Sequence, residues 1–258
     1  MSDIKKYTLI TGASSGIGYE LAKLFAKDGH NLLLIGRNLE KLQLVKDELN
    51  KFNVDIKILS LDLSNKGHIK NLFNYIEINK LDIENVINNA GVGIFGDYKD
   101  VATEANESLI DINITALTKI TTYFLPKLID KNSGGILNVA STAAFCAGPR
   151  MSTYYASKAY VLNLSESIHE ECKSTKVKIS CLCPGPVKTD FQSKAGIVKS
   201  ESAKKYLMDA KTVAEEGYKG FKKGKAIIIP GKKNKLLVIA NKFLPRSISR
   251  KVVLKTNK

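Results

Sequence analysis

Short apolar runs alternate with longer stretches of helical periodicity along the whole chain. The strand-like runs fall at 6–10, 31–36, 55–62, 83–88, 135–140, 177–183 and 225–230. They are rich in Ile, Val and Leu and show little polar alternation, the pattern of strands covered on both faces. Between them, 39–52 carries Leu39, Leu42, Val45 and Leu49 on one helical stripe. The stretch 102–128 reads as one long helix that stops before Pro126 or bends near it, because proline removes a backbone donor and crowds the preceding turn. Repeated strand–helix units predict an α/β fold, a doubly wound Rossmann-type parallel sheet of about seven strands with helices on both faces. No repeat, low-complexity tract or linker interrupts the 258 residues, so a single domain over 1–258 is expected.

Composition narrows this picture. A hydrophobic fraction of 44% supports a sizeable core and excludes a disordered chain. The opening MSDIKKYTLITGA lacks the apolar stretch of a signal peptide, and runs such as 236–240 are too short to cross a bilayer, so a cytoplasmic protein is expected. The four cysteines, Cys146, Cys172, Cys181 and Cys183, form no C-x-x-C pair. Cys181 and Cys183 share one strand face and read as small core residues. The three histidines, His30, His68 and His169, never stand at ligand spacing, so no metal is expected.

The net charge of +15 is unevenly placed. From residue 219 onward there are thirteen Lys or Arg and no Asp or Glu. A lysine-rich tail on a nearly neutral body is no nucleic-acid signature. The extension 231–258 is basic and partly amphipathic, with Pro245 inside it. Its readings are a solvated helix, contact with an acidic membrane surface, closure over a site, or packing on a second subunit.

The chemistry starts in TGASSGIG, 11–18, between the first strand-like run and a helix. Gly12, Gly16 and Gly18 permit a tight turn and close approach of the backbone to a pyrophosphate. Ser14, Ser15 and Ile17 fill the loop, and the helix N-terminus offers free N–H groups. The same residues satisfy G-x-S-x-G, a hydrolase nucleophile elbow with Ser14 as nucleophile. Chain order opposes that reading. Only ten residues precede Thr11, too few for an earlier oxyanion loop, and no histidine follows His169. The second strand ends in LLLIGRN, where a dinucleotide fold meets the adenosine ribose. Gly36 offers no carboxylate for a 2′-hydroxyl, and Arg37 suits a 2′-phosphate, so NADP is expected over NAD.

A second cluster is TYYASKAYV, 153–161. Tyr154 stands four residues before Lys158 and Tyr155 three, so either could share its helix face. An ammonium near a phenol favours phenolate and draws its pKa down from about 10, toward acid–base work. Ser141, in NVAST, sits at the carboxyl end of the fifth strand, the edge where ligands bind in such sheets.

Together these motifs resemble the short-chain dehydrogenase/reductase family over about residues 5–190. The likeness comprises TGASSGIG, LDLS at 61–64, NNAG at 88–91, DIN at 111–113, the serine of NVAST, YYASK and PGPVKT at 184–189, in the family's order. The Ser141 spacing selects Tyr154 over Tyr155 by that resemblance. It implies that Tyr154 is the general acid/base, that Ser141 polarises the same substrate oxygen, and that Lys158 lowers the tyrosine pKa and holds the nicotinamide ribose. Asn113 then anchors a water in a proton relay. Asp62 and Leu63 meet the adenine, and Asn89, Ala90 and Gly91 pack along its ribose. Pro184, Gly185, Val187 and Thr189 cover the nicotinamide. Some NADP-dependent relatives carry a basic residue where this chain has Ser15, so the NADP reading rests on Arg37, with Ser14 as helper.

Substrate choice is expected from 190–211, as a lid containing Phe191, Ile197, Val198, Tyr206, Leu207 and Met208, with Phe145, Met151 and Tyr155 on the facing wall. Such a lining suits a small to medium apolar carbonyl or alcohol, and a homodimer or homotetramer is the expected assembly. The competing reading is a non-catalytic dinucleotide-binding or scaffold protein on the same fold. The complete set of Asn113, Ser141, Tyr154 and Lys158 favours an enzyme.

Overall fold

In the computed structural model of the protein, residues 5–197 and 207–257 are described. Seven parallel strands form one sheet: β1 (Lys6–Thr11), β2 (Asn31–Gly36), β3 (Ile56–Ser60), β4 (Asp82–Asn88), β5 (Gly135–Val139), β6 (Lys178–Leu182) and, at the edge, β9 (Ile227–Ile228). Their order is β3-β2-β1-β4-β5-β6-β9. The direction of travel reverses between β1 and β4, the switch point at which such sheets bind ligands. Two short strands, β7 (Val187–Lys188) and β8 (Met208–Asp209), pair separately above it. The apolar run at 225–230 reduces to a two-residue edge strand, because only Ile227 and Ile228 find partners on β6.

The missing polar alternation has a direct cause. Leu32 and Leu34 of β2 enter one core layer, and Leu33 and Ile35 enter the other. The first layer is closed by α1 (Gly16–Lys27), α2 (Leu39–Leu49) and α8 (Ala210–Lys222), through side chains such as Phe25, Leu42 and Phe221. The second is closed by α3 (Lys66–Ile78), α5 (Leu117–Lys131) and α6 (Ser152–Glu171), through Leu72, Phe124 and Ile168. The paired sulfurs of Cys181 and Cys183 lie 3.7 Å apart in the buried interior.

The long helix departs from expectation. It starts as α4 (Thr103–Ile110), passes through a π-helical stretch at Asp111–Ala116, and continues as α5 through Pro126 to Lys131. Pro126 is exposed, so the carbonyl it leaves unpaired one turn earlier, on exposed Thr122, can be met by solvent. Phe124 and Leu128 keep that turn packed on the sheet. The irregularity sits instead at Asn113, where a wider turn directs a buried amide toward the loop after β4. The extension forms two further helices, α9 (Lys232–Phe243) and α10 (Arg246–Thr256), with α7 (Phe191–Lys194) following β7.

Candidate active site

A cleft of about 1460 Å³ runs along the carboxyl edge of the sheet. That exceeds the roughly 300–1,000 Å³ of a single-ligand pocket and leaves room for a dinucleotide and a second molecule. Every expected site residue lines it except Gly18 and Asn113. Those two lie just behind its wall.

Its floor is the turn after β1. Gly12 and Gly16 have φ of +65° and +58°, left-handed values that favour glycine. A Cβ on Gly18 would sit 2.3 Å from the Gly12 carbonyl oxygen, so the helix can start there only without a side chain. The NNAG segment braces this turn. Asn89 Nδ2 donates to the carbonyls of Thr11 and Gly12 at 3.0 and 3.1 Å. Thr11 Oγ1 accepts the backbone N–H groups of Asn89 and Ala90, each at 3.0 Å. Thr189 packs over the opening, with its methyl 3.0 Å from where a Gly16 Cβ would stand.

At one end, Ser14, Gly36, Arg37, Asn38 and Lys41 line the cleft together. Asn38 Oδ1 caps α2 by accepting the Lys41 N–H at 2.7 Å. Lys41 was not singled out from sequence, although its place four residues after Arg37 at a helix start was a usable signal. The Asp62 carboxylate accepts the backbone N–H and hydroxyl of Ser64 at 3.0 and 2.8 Å. Those bonds, with Arg37 nearby, hold it below the usual carboxylate range.

At the other end, Ser141 stands just past β5. Its hydroxyl donates to the Pro184 carbonyl at 3.3 Å and accepts the Ala143 N–H at 3.1 Å. Pro184 also takes the Thr142 N–H at 2.8 Å, which ties the PGPVKT loop to the serine. Tyr154 and Lys158 project from the first turns of α6, with the Lys158 Nζ 5.8 Å from the Tyr154 ring centroid. The Tyr154 phenol is pushed up to about 12 by burial, against the opposite pull of the nearby Ser141 hydroxyl. Burial, and not the Lys158 ammonium, sets the direction of that shift. The ammonium donates to the Val139 carbonyl at 2.8 Å and is itself drawn down to about 8 by burial. Tyr155 also lines the cleft, but its ring lies against Gly148 and on the side of Asn257. Only Tyr154 of the pair meets both Ser141 and Lys158.

Asn113 bonds Val92 twice, accepting its N–H and donating to its carbonyl at 2.9 Å each, and donates to Ser157 at 3.0 Å. A Cβ on Gly91 would lie 3.2 Å from Lys158 Nζ and 3.3 Å from Asn113 Oδ1, so both side chains abut that glycine.

The remaining wall is apolar. Phe191 approaches the Tyr154 ring at 5.4 Å between centroids, and Met151, Ile197 and Leu207 join it. Two expected wall residues are elsewhere. Phe145 packs with Ala144, Val161 and Cys181, and its carbonyl takes a hydrogen bond from Asn241. Met208 pairs through β8 and receives Asn234 at its sulfur. Val198 and Tyr206 lie outside the described residues. The end of the tail meets one of the readings the sequence left open, closure over the site. Thr256 and Asn257 line the cleft, with Asn257 bonded to Pro149 and Arg150 at 2.9 and 3.1 Å.

A glycine-cradled cleft at a parallel-sheet switch point, with Ser, Tyr and Lys converging at one end, defines a dinucleotide-dependent oxidoreductase. The family model for short chain dehydrogenase matches residues 6–198. An uncharacterized oxidoreductase of Staphylococcus aureus is 32% identical over 184 residues, covering 71% of this chain and 79% of that protein. A short-chain dehydrogenase from Sphingobium yanoikuyae in complex with NADPH superposes with a TM-score of 0.83 at 28% identity, covering 92% of this chain and 94% of its own. A short chain dehydrogenase/reductase from Burkholderia phymatum in complex with NAD shares the fold, with a TM-score of 0.80 at 23% identity, covering 93% and 94%. The chain belongs to the short-chain dehydrogenase/reductase family, and it is an enzyme acting on CH–OH or C=O groups with NAD(P).

Proposed function

We propose that the protein is an NADP(H)-dependent reductase of small to medium apolar carbonyl compounds, able to run in reverse on the alcohols. The observation that carries this reading is the meeting of Tyr154 with Ser141 and Lys158 at one end of a cleft whose other end carries Arg37 and Lys41. The cofactor fits the cradle, because Gly12, Gly16 and Gly91 line the cleft without side chains, while Asn89, Thr189 and Lys158 pack where a Cβ would stand and hold the turn in place. Bound there, it supplies the hydride. Arg37, Lys41 and Ser14 hold the 2′-phosphate, a charge-assisted contact that a 2′-hydroxyl cannot repay. Asp62 and Leu63 take the adenine, Asn89 to Gly91 its ribose, and Pro184 to Thr189 the nicotinamide face.

Ser141 and Tyr154 both hydrogen-bond the substrate oxygen. With its pKa raised to about 12, Tyr154 keeps its proton throughout the neutral range and gives it to the forming alkoxide. Lys158 places a positive charge beside the developing phenolate. With Asn113 it forms the route by which a solvent proton returns to Tyr154, since both side chains abut Gly91. Phe191, Met151, Ile197 and Leu207 exclude water and select an apolar substrate. The chain acts as one unit over 1–258, and 190–211 supplies the substrate cover through its described residues Phe191, Ile197 and Leu207. A homodimer or homotetramer is the assembly in which we expect it to work.

The test is NADPH consumption against a panel of aliphatic and aromatic ketones and aldehydes. Turnover with NADPH exceeding that with NADH, and lost in Tyr154→Phe while NADPH still binds, is the expected result. Undiminished turnover in Tyr154→Phe removes that residue from its role, and a preference for NADH defeats the Arg37 and Lys41 assignment.

A further inference from the structure

The C-terminal pair of helices carries apolar side chains on the face turned away from the body, where a surface helix ordinarily carries polar ones. Its inner face is accounted for. Val238 is buried against the body, Asn241 donates to the Phe145 carbonyl at 2.6 Å, and Ser249 donates to Asn241 at 2.6 Å. Its outer face is not. Leu236, Leu237, Ile239 and Phe243 of α9 are 68%, 67%, 54% and 83% exposed, and Ile248 and Val252 of α10 are each 50% exposed. Leu236, Ala240 and Phe243 follow helical spacing, so they form a stripe pointing away from the body.

Charge identifies what this stripe fits. Residues 231–258 contain nine Lys or Arg and no Asp or Glu. Lys232, Lys235, Lys242, Arg246, Arg250 and Lys251 are all exposed around the apolar stripe. A second copy of the hairpin would bring a second all-cationic surface against the first. The body as a whole exerts little net attraction on such a surface, since 27 basic residues nearly balance 25 acidic ones in residues 1–218. A nucleic acid backbone would satisfy the cations and leave the aliphatic side chains nothing to bury into. An anionic lipid surface satisfies both, with apolar side chains inserted below the headgroups and Lys and Arg at the level of the phosphates. None of the helices among the described residues is long and apolar enough to cross a membrane, so the contact lies in the plane of the interface.

We propose that the outer face of α9 and α10 docks the protein reversibly on anionic lipid bilayers. The proposal stands apart from the catalytic reading and uses none of its residues. The test is co-sedimentation of the full chain with vesicles of phosphatidylcholine alone and of phosphatidylcholine containing phosphatidylglycerol. Binding to the anionic vesicles at least roughly tenfold stronger than to the neutral ones is expected, weakening as salt is added. The double variant Leu237→Glu, Phe243→Glu and the triple variant Lys232→Gln, Lys235→Gln, Lys242→Gln each lose roughly tenfold or more. Circular dichroism and melting temperature verify folding, which these exposed positions should leave unchanged. Equal binding to both vesicle types, or none to either, overturns the proposal. So does a Leu237→Glu, Phe243→Glu variant that keeps vesicle binding, or one whose only change is to dissociate an oligomer that never bound vesicles.

Discussion

At the Arg37 end of the cleft the working surface is mostly backbone, while at the Tyr154 end it is mostly side chain. The glycine turn, the NNAG brace and the N-terminus of α1 present N–H and C=O groups, with positions fixed by φ values and by Asn89 hydrogen bonds. The Tyr154 end gathers Ser141, Tyr154, Lys158, Phe191 and Asn257 from separate segments, and its properties depend on how deeply each is buried. A backbone site tolerates little addition. A side-chain site tolerates rebuilding of its walls and fails when one chemical group is removed.

The largest expected effect tests the side-chain end. Tyr154→Phe should lower kcat by about 10²–10⁴-fold, the range for a lost general acid, while Tyr155→Phe lowers it by less than about threefold. Similar losses in steady-state assays of the two variants would erase the distinction between neighbours that share one helix turn. At the backbone end, Gly18→Ala forces a methyl into the Gly12 carbonyl. A loss of about 2–4 kcal/mol in denaturant unfolding is expected, together with loss of NADPH binding.

Charge at the Arg37 end comes next. Arg37→Ala with Lys41→Ala should weaken NADPH binding about 10–100-fold and leave NADH binding within about twofold, as read by fluorescence titration. Equal loss for both cofactors would mean that the two cations shape the cleft without reading the phosphate.

A pH profile separates the ends further. Lys158 has its pKa drawn down to about 8 and Tyr154 pushed up to about 12, so the first charge lost on raising the pH is the ammonium, while the phenol keeps its proton. For carbonyl reduction, kcat/KM should be level below about pH 8 and fall about tenfold per unit above it. In Lys158→Arg the residual activity should show no such fall. The smallest effect belongs to the tail. Asn257→Ala removes the side-chain bond to the Pro149 carbonyl, and should raise KM for bulky carbonyls about two- to fivefold with NADPH affinity unchanged.

The sheet was legible from sequence because parallel strands covered on both faces must be continuously apolar, as Leu32 to Ile35 are in feeding two core layers. The cradle was legible because the left-handed turns at Gly12 and Gly16 favour glycine and a Cβ at Gly18 would strike the Gly12 carbonyl. Motif order carried Ser141, Tyr154 and Lys158 to the same edge.

What depended on distant contacts was not legible. Pro126 reads as a break, yet the helix runs through it because the proline faces solvent and its neighbours pack. Phe145 reads as a pocket wall, yet α9 and the β6 core claim it. Lys158 reads as a group that acidifies a phenol, yet burial of Tyr154 holds its pKa above the ordinary tyrosine value. Spacing and motif order specified a doubly wound parallel sheet, the glycine cradle and the candidate set of Asn113, Ser141, Tyr154 and Lys158. Only the tertiary structure decided the depth of Tyr154 and Lys158, the seating of Asn257 in the cleft and the outward turn of Leu236 and Phe243, because burial and solvent exposure belong to the packed whole.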